Sequence, residues 1–479
     1  MISTEFDTRY VQKLLSNQEY SKALEYFKQA IQENPTEPRY HLNISNVYIV
    51  LNDIEKAKQH LHEALRLNPF QPEPYNNLGR LYYKQMLIDE AMPFFERALR
   101  MNPDYWEAHY NLAHCFAKKN QLNRAITHYG EVVRLNPEHP NAHFNLGLAC
   151  IEETKFETAA LHLKRAFELD PTNSEAIYQL GNVYVNLGKA FDAAAAFEQA
   201  LVLVPTLEEA HHNLAILHLR NQEKQKALSR FKEALSLNPG NATAKHMVSA
   251  LTASEQVQSA PLPYITQLFD QYADYYDTHV KTQLNYQAPG HLRNAVGRSL
   301  GNNLKTGRVL DMGCGTGLCG IYFRDLAFEL IGIDLSPNMI EKAKALGAYE
   351  QLLVSDLKEY LSDSTLEKFD LIIAGDVFVY AGDLTDLFKL VSEKLTAEGR
   401  FAFTVECLNT ESDIYQLQPT GRFAHSKNYI TELTKRNDFT ISIEENIILR
   451  EHEGTPIYGN VYVLLINKRY TNSTPPPIL

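Results

Sequence analysis

Three glycines and three aspartates carry the chemistry legible in this chain: Gly313, Gly315, Gly317, Asp311, Asp334 and Asp356. Residues 309–317, VLDMGCGTG, read as the end of an apolar strand, then an acidic residue, then a loop in which every second residue is glycine. Cys314 sits between two of those glycines. Glycine permits positive φ and lets a backbone approach a ligand closely. The helical run at 318–326 would aim its first amide N–H groups into the same crevice. Such a loop at the C-terminal end of a strand is the usual cofactor position of a doubly wound α/β sheet.

Two cofactor chemistries compete for it. Gly315, Gly317 and Gly320, with Asp334 downstream, satisfy the dinucleotide spacing. Asp311 opposes NAD, because a carboxylate just before the glycines would repel a pyrophosphate. Asp356 adds a second acidic site, and the last two strands do not continue a parallel six-stranded fold. A cofactor with a ribose, an adenine and an ammonium but no phosphate suits these residues better. Asp334 would accept from the ribose hydroxyls and Asp356 from the adenine amino group, with Leu357 on the ring face. Asp311 would face the ammonium.

The elements that position these groups begin at residue 308. Apolar runs at 308–310, 330–333, 352–354, 371–374 and 401–405 alternate with helical stretches, which predicts a parallel sheet of βαβ units. Two further strands, 441–449 and 458–467, make seven. Ser336 reads as a helix N-cap and Pro337 as the first helical residue. An aromatic, acidic helical segment at 264–277 precedes the sheet and is placed to cover the crevice.

Before that domain comes an array. Prolines recur from Pro35 to Pro239 at the interval between Pro35 and Pro69, a period of 34 residues, and small residues recur in step from Ala23 to Ala227. Each unit of 4–241 carries two helical apolar stripes that cannot be buried alone, so neighbours must stack. The array resembles the tetratricopeptide repeat, with seven repeats and a closing helix to residue 257. In that family the site occupied here by Asn43, Asn77, Asn111, Asn145, Gln179 and Asn213 lines the concave groove. The resemblance thus implies a protein or peptide partner there, its backbone held by the carboxamides. A linker is expected at 258–263, the second domain at 264–470 and a disordered proline-rich tail at 471–479.

Over 264–468 the chain resembles the class I S-adenosylmethionine-dependent methyltransferases, in the order Asp311 to Gly317, Asp334, Asp356 and then Gly375–Asp376–Val377. This implies an all-α solenoid followed by a Rossmann-like α/β domain, with S-adenosylmethionine as cofactor and Leu335 and Asp376 beside it. The combination is similar to predicted bacterial methyltransferases carrying tetratricopeptide repeats, which share a Phe-Asp-x-Tyr-Ala segment (269–273 here) and an Arg-aromatic-Ala-His-Ser segment (422–426).

Methyl transfer needs alignment and a dry aromatic pocket. Tyr272, Tyr276, Phe378 and Tyr380 are candidates for its walls. His425 is the candidate base, and Arg422 and Arg450 could clamp an acceptor carboxylate. The segment at 264–277 is loosely similar to malonyl-carrier-protein O-methyltransferases, which suggests a small or carrier-bound acid as acceptor. A repeat scaffold with a vestigial transferase fold is the remaining alternative.

Composition limits the partners. A chain of 479 residues with net charge −12 and no long basic run disfavours nucleic acid. The five cysteines form no C-x-x-C pair, so no zinc or disulfide framework is legible. No apolar run reaches spanning length and the first residues lack a secretory pattern, so the expected place is the cytoplasm, away from membranes and without a bound metal.

Overall fold

The computed structural model describes residues 8–252, 257–273, 276–277, 284, 286–301, 305–408, 414–452 and 455–467. The tail expected at 471–479 lies outside them. The chain falls into two compact units, Met1–Leu217 and His218–Leu479. The helices Lys224–Leu237 and Ala242–Thr252 are therefore grouped with the α/β part.

The first unit is a stack of helical hairpins, such as Pro72–Lys84 with Ile88–Met101 and Pro140–Glu152 with Phe156–Leu169. Each second helix stops two residues short of the recurring proline, as Leu67 does before Pro69, since proline has no N–H to continue it. Ala57, Ala91, Ala125, Ala159 and Ala193 are fully buried. Tight packing has a second source in the first helix of the pair. A Cβ added at Gly79 would lie 2.6 Å from Phe95, one at Gly147 2.7 Å from Leu163, and one at Gly181 2.5 Å from Phe197. A small residue on one helix thus admits a large one from the other.

The turn inside each hairpin needs one residue with positive φ. Gly188 meets that need without strain at +70°, but Thr154 is held at +55°. A β-branched residue there is costly. Asn52 and Asn120 occupy the equivalent turns at +59° and +56°. Thr154→Asn should therefore stabilise the array by about 1 kcal/mol. A thermal midpoint that stays put or falls would contradict this.

The carboxamides expected to face a peptide spend donors between neighbouring repeats. Asn77 Nδ2 donates to Asn46 Oδ1 at 2.8 Å, Asn111 to Asn76 Oδ1 at 2.9 Å and Asn145 to Tyr110 Oη at 3.1 Å. Asn213 donates to Asn182 Oδ1 at 3.0 Å. Asn77 is buried, while Asn43, Asn111, Asn145 and Asn213 keep partial exposure. These amides first of all tie repeat to repeat.

Among the described residues the second unit carries nine strands: β1 Thr306–Met312, β2 Ala327–Asp334, β3 Gln351–Val354, β4 Phe369–Ala374, β5 Leu395–Cys407, β6 Tyr415–Leu417, β7 Phe423–His425, β8 Phe439–His452 and β9 Thr455–Ile466. β3, β2, β1, β4 and β5 lie side by side and parallel; β9 pairs antiparallel with β5, and β8 with β9. These are the seven strands expected. The other two form a short hairpin, in which β7 runs parallel to the end of β5 and β6 pairs with β7. Strands of three residues are too short to show a period.

Both faces of the central strands are buried, while the edge strand β3 is largely exposed. One cluster includes Leu310, Ile333, Ile372 and Phe403, the other Val309, Leu330, Leu371 and Val463. Adjacent parallel strands bring the loops after β1, β2, β3 and β4 to one edge. Among the described residues no helix is long and apolar enough to cross a membrane.

Candidate active site

The loop after β1 turns three times through positive φ, +66° at Gly313, +54° at Gly315 and +93° at Gly317. Asp334, at the end of β2, braces it. Its Oδ2 accepts from the Gly315 N–H at 2.9 Å and its Oδ1 from the Ser336 N–H at 2.9 Å. Burial raises the Asp334 carboxyl above its ordinary value, while the amides of Ser336, Gly315 and Leu335 pull it back. Ser336 caps the helix Pro337–Leu346 as expected, accepting from the Met339 N–H at 3.1 Å. Asp356 caps the helix Leu357–Ser362 through Oδ1 alone, accepting from Lys358 and Glu359 at 2.9 and 3.0 Å. Its other oxygen remains for a ligand.

Gly313, Gly315, Asp334 and Asp356 line a pocket of about 390 Å³. Gly313, Gly315, Asp334, Leu335, Asp356, Leu357, Asp376, Tyr276 and Tyr380 all reach it. Leu262, Ile265 and Phe269, on the helix Leu262–Tyr272, close its apolar side. That helix is tied to the loop after β2, since the Ser336 hydroxyl donates to Asp270, and beyond its end the Thr316 hydroxyl donates to Asp277. The Tyr272 side chain lies outside the described residues. Residues 258–260, expected as linker, form part of the wall: the Ala260 N–H donates to Tyr380 O at 2.9 Å and Gln258 O accepts from Gly382 and Asp383.

Three expected cofactor contacts lie elsewhere. Gly317 turns away from the pocket, with the space for a Cβ closed by Leu346 and Tyr349 at 3.2 Å. The Cys314 thiol is buried against Gly332, where an added Cβ would meet its sulfur at 3.0 Å. Asp311 is 1% exposed beneath the loop. Its Oδ2 accepts from the Tyr349 hydroxyl at 2.7 Å, and its Oδ1 is buried without a partner. Tyr349 also accepts from the Gly320 N–H at 3.1 Å, so one phenol holds both the loop and its aspartate.

Burial pushes the Asp311 carboxyl up to about 7, against the pull of Tyr349, and the charge of Asp334 adds to the rise. With its native pKa above the unfolded value, the stability Asp311 contributes is complete below about pH 4 and is lost as pH rises through 7. Asp311→Asn keeps the neutral form at every pH. It should raise the thermal midpoint of the cofactor-free protein at alkaline pH, by the equivalent of roughly 2 kcal/mol, and change it little in mild acid. Calorimetry on both sides of neutrality checks this; equal shifts would contradict it.

His425 is not a base for this pocket. It is 2% exposed in β7, outside the lining, and burial lowers its pKa to about 4. Its Nε2 lies 2.9 Å from Ala381 O and 3.1 Å from Gly382 O. Carbonyls only accept, so this nitrogen keeps its proton and the ring ties β7 to the turn after β4.

Arg450 is also committed. It is 4% exposed, with Nη1 2.8 Å from Asp376 Oδ1 and Nη2 2.6 Å from Glu406 Oε2. Asp376 is held in the left-handed region at φ +58°, and its N–H donates to Thr404 Oγ1 at 2.8 Å. Arg422 is looser: its Nη1 is 4.0 Å from Asp376 Oδ2 and its guanidinium carbon lies 6.0 Å from the centre of the Tyr380 ring. Burial alone would lower its pKa, yet Tyr380, Asp376 and Glu406 outweigh that and hold it raised. Arg422 stands outside the pocket lining, behind Tyr380, and is less tightly held than Arg450, which anchors the strand end.

A family model described as a methyltransferase domain matches residues 310–401. Tetratricopeptide repeat models match residues 14–81 and 208–241, and the middle TPR-like domain of cilia and flagella-associated protein 70 matches 75–204. The chain joins tetratricopeptide repeats to a methyltransferase domain. Among curated relatives, the malonyl-[acyl-carrier protein] O-methyltransferase of Salmonella typhimurium is 28% identical over 35% of this chain and 64% of its own length. Human methyltransferase-like protein 27 is 34% identical over 22% of this chain and 43% of its own. The match therefore spans less than two thirds of either relative. A crystal structure of YrrB, described as a TPR protein with an unusual peptide-binding site, overlaps 39% of this chain and 96% of its own at TM-score 0.38 and 22% identity.

Proposed function

We propose that the C-terminal domain transfers a methyl group from S-adenosylmethionine to a carboxylate, on or carried by a protein that the repeat array binds along its concave face. The observation that carries the cofactor is the acidic lining. Asp334, Asp356, Asp376, Asp383 and Asp386 line one pocket against the single cation Lys358, among the described residues. A dinucleotide diphosphate would be repelled there, whereas a cation with a ribose and an amine would be held.

The residues fit such a group. Asp334 would take the ribose hydroxyls, the free oxygen of Asp356 the adenine amino group, and Leu357 the ring. Gly313 and Gly315 allow close backbone approach. When bound, S-adenosylmethionine supplies an electrophilic methyl on a sulfonium. Tyr276, Tyr380, Phe269 and Ile265 exclude water from the reacting side.

The acceptor reading rests on which groups are present. No histidine or cysteine lines the pocket among the described residues, and Asp376 is occupied by Arg450. A carboxylate acceptor needs no base, because it is deprotonated already at neutral pH. Arg422 would anchor a carboxylate through its planar fork. The curated malonyl-carrier relatives agree with this chemistry. Titration of the protein with S-adenosylmethionine and, separately, with NAD tests the cofactor: heat with the first and none with the second is expected, and the reverse would overturn it.

A further inference from the structure

The helix Ala242–Thr252 follows the last repeat in sequence, yet its side chains reach the turn that carries Arg422. His246 is 2% exposed and its Nε2 lies 2.8 Å from Gly421 O. The carbonyl can only accept, so the ring donates Nε2–H. It packs on Tyr264 with ring centres 4.8 Å apart. Gly421 has φ +78°, and a Cβ there would lie 2.9 Å from Met247 Sδ and 3.4 Å from the Tyr264 hydroxyl. The turn is closed from within: the Gly421 N–H donates to Gln418 O at 2.9 Å and the Gln418 N–H to Arg422 O at 2.7 Å.

The Gly421–Arg422 peptide is therefore gripped on both sides. The hairpin of β6 and β7 holds it from inside, and His246, Met247 and Tyr264 from outside. A hairpin with two three-residue strands has little rigidity of its own. Its turn could not keep a guanidinium in place without that outer support.

We propose that His246 is a positioning residue for the acceptor: by fixing the Gly421 carbonyl it sets the direction of the Arg422 guanidinium. The helix that closes the array thereby belongs functionally to the transferase. This rests on the carboxylate reading of the Arg422 site.

The test uses the full chain and three forms: wild type, His246→Leu, which removes the donor, and His246→Gln, whose amide can restore it. The acceptor probe is malonyl-pantetheine with tritium-labelled S-adenosylmethionine. His246→Leu should raise KM for the probe by about tenfold. Its kcat and cofactor affinity should stay within about twofold of wild type, and His246→Gln should return KM toward it. An unchanged KM in His246→Leu, or a fall in kcat or cofactor affinity without a change in KM, overturns the inference. If wild type itself transfers no label to the probe, the carboxylate reading has failed. Amide exchange at Gly421 and Gln418 then decides the contact: faster exchange in His246→Leu, slowed again in His246→Gln, supports it, and exchange equal in all three overturns it.

Discussion

Asp334→Ala should weaken S-adenosylmethionine binding at least about a hundredfold while leaving the far-ultraviolet circular dichroism unchanged. Two effects add. The variant loses the charge-assisted bonds to the ribose hydroxyls, each worth about 1.5–3 kcal/mol. It also frees the Gly315 and Ser336 amides, which the two Asp334 oxygens hold at 2.9 Å. A loosened glycine loop has to be reordered on every binding event. The fold should survive, because Asp334 is the last residue of β2 and the buried strand residues Ile331 and Ile333 are untouched. Affinity within about twofold of wild type would remove Asp334 from the cofactor site.

Arg450→Leu should strongly destabilise the second unit, costing about 3–5 kcal/mol. One buried guanidinium holds Asp376 and Glu406, at 2.8 and 2.6 Å, and both carboxylates are largely buried themselves. Without it two negative charges face each other, with Arg422 4.0 Å from Asp376 as the remaining cation near them among the described residues. Asp376 also sits in a left-handed conformation that its partners must sustain. The loss would appear as a much lower thermal midpoint for the second unit. Adding Glu406→Gln to the variant should recover part of it by removing one uncompensated charge. A midpoint within a degree or two of wild type would show that the cluster tolerates the loss.

How much of this was legible before the structure follows from how local each signal is. The repeats announce themselves because Pro35, Pro69 and their successors recur in register with the alanines, and both hairpin helices depend on neighbouring residues. Gly313, Gly315, Asp334 and Asp356 were legible because each stands at a strand end, where parallel topology alone brings it to the common edge. Residues whose role depends on distant partners were not. Arg450 meets Asp376 and Glu406 across 74 and 44 residues of chain, so an apparent acceptor clamp is a structural ion pair. His425 looked like a base by type and position, but β7 turns it into the interior, where burial lowers its pKa to about 4. Tyr349 gave no signal at all. Its grip on Asp311 and Gly320 exists only once the helix Pro337–Leu346 has packed against the glycine loop. The carboxamide series is a real periodicity that also serves to bond one repeat to the next.

The order of parts along the chain carries a functional meaning that either half alone lacks. On the proposed reading the repeats would offer a surface for a protein, and the acidic pocket, with Arg422 behind Tyr380, would take a carboxylate beside a methyl donor. The most direct measurement is the chemistry of the methylated product. The full chain is incubated with methyl-labelled S-adenosylmethionine and fractionated extract, and the labelled product is treated with mild base. The account predicts a methyl ester, so the label should leave as volatile methanol, and Arg422→Ala should prevent its formation. A label that withstands base, as a methylated nitrogen would, or one formed equally well by Arg422→Ala, would contradict it.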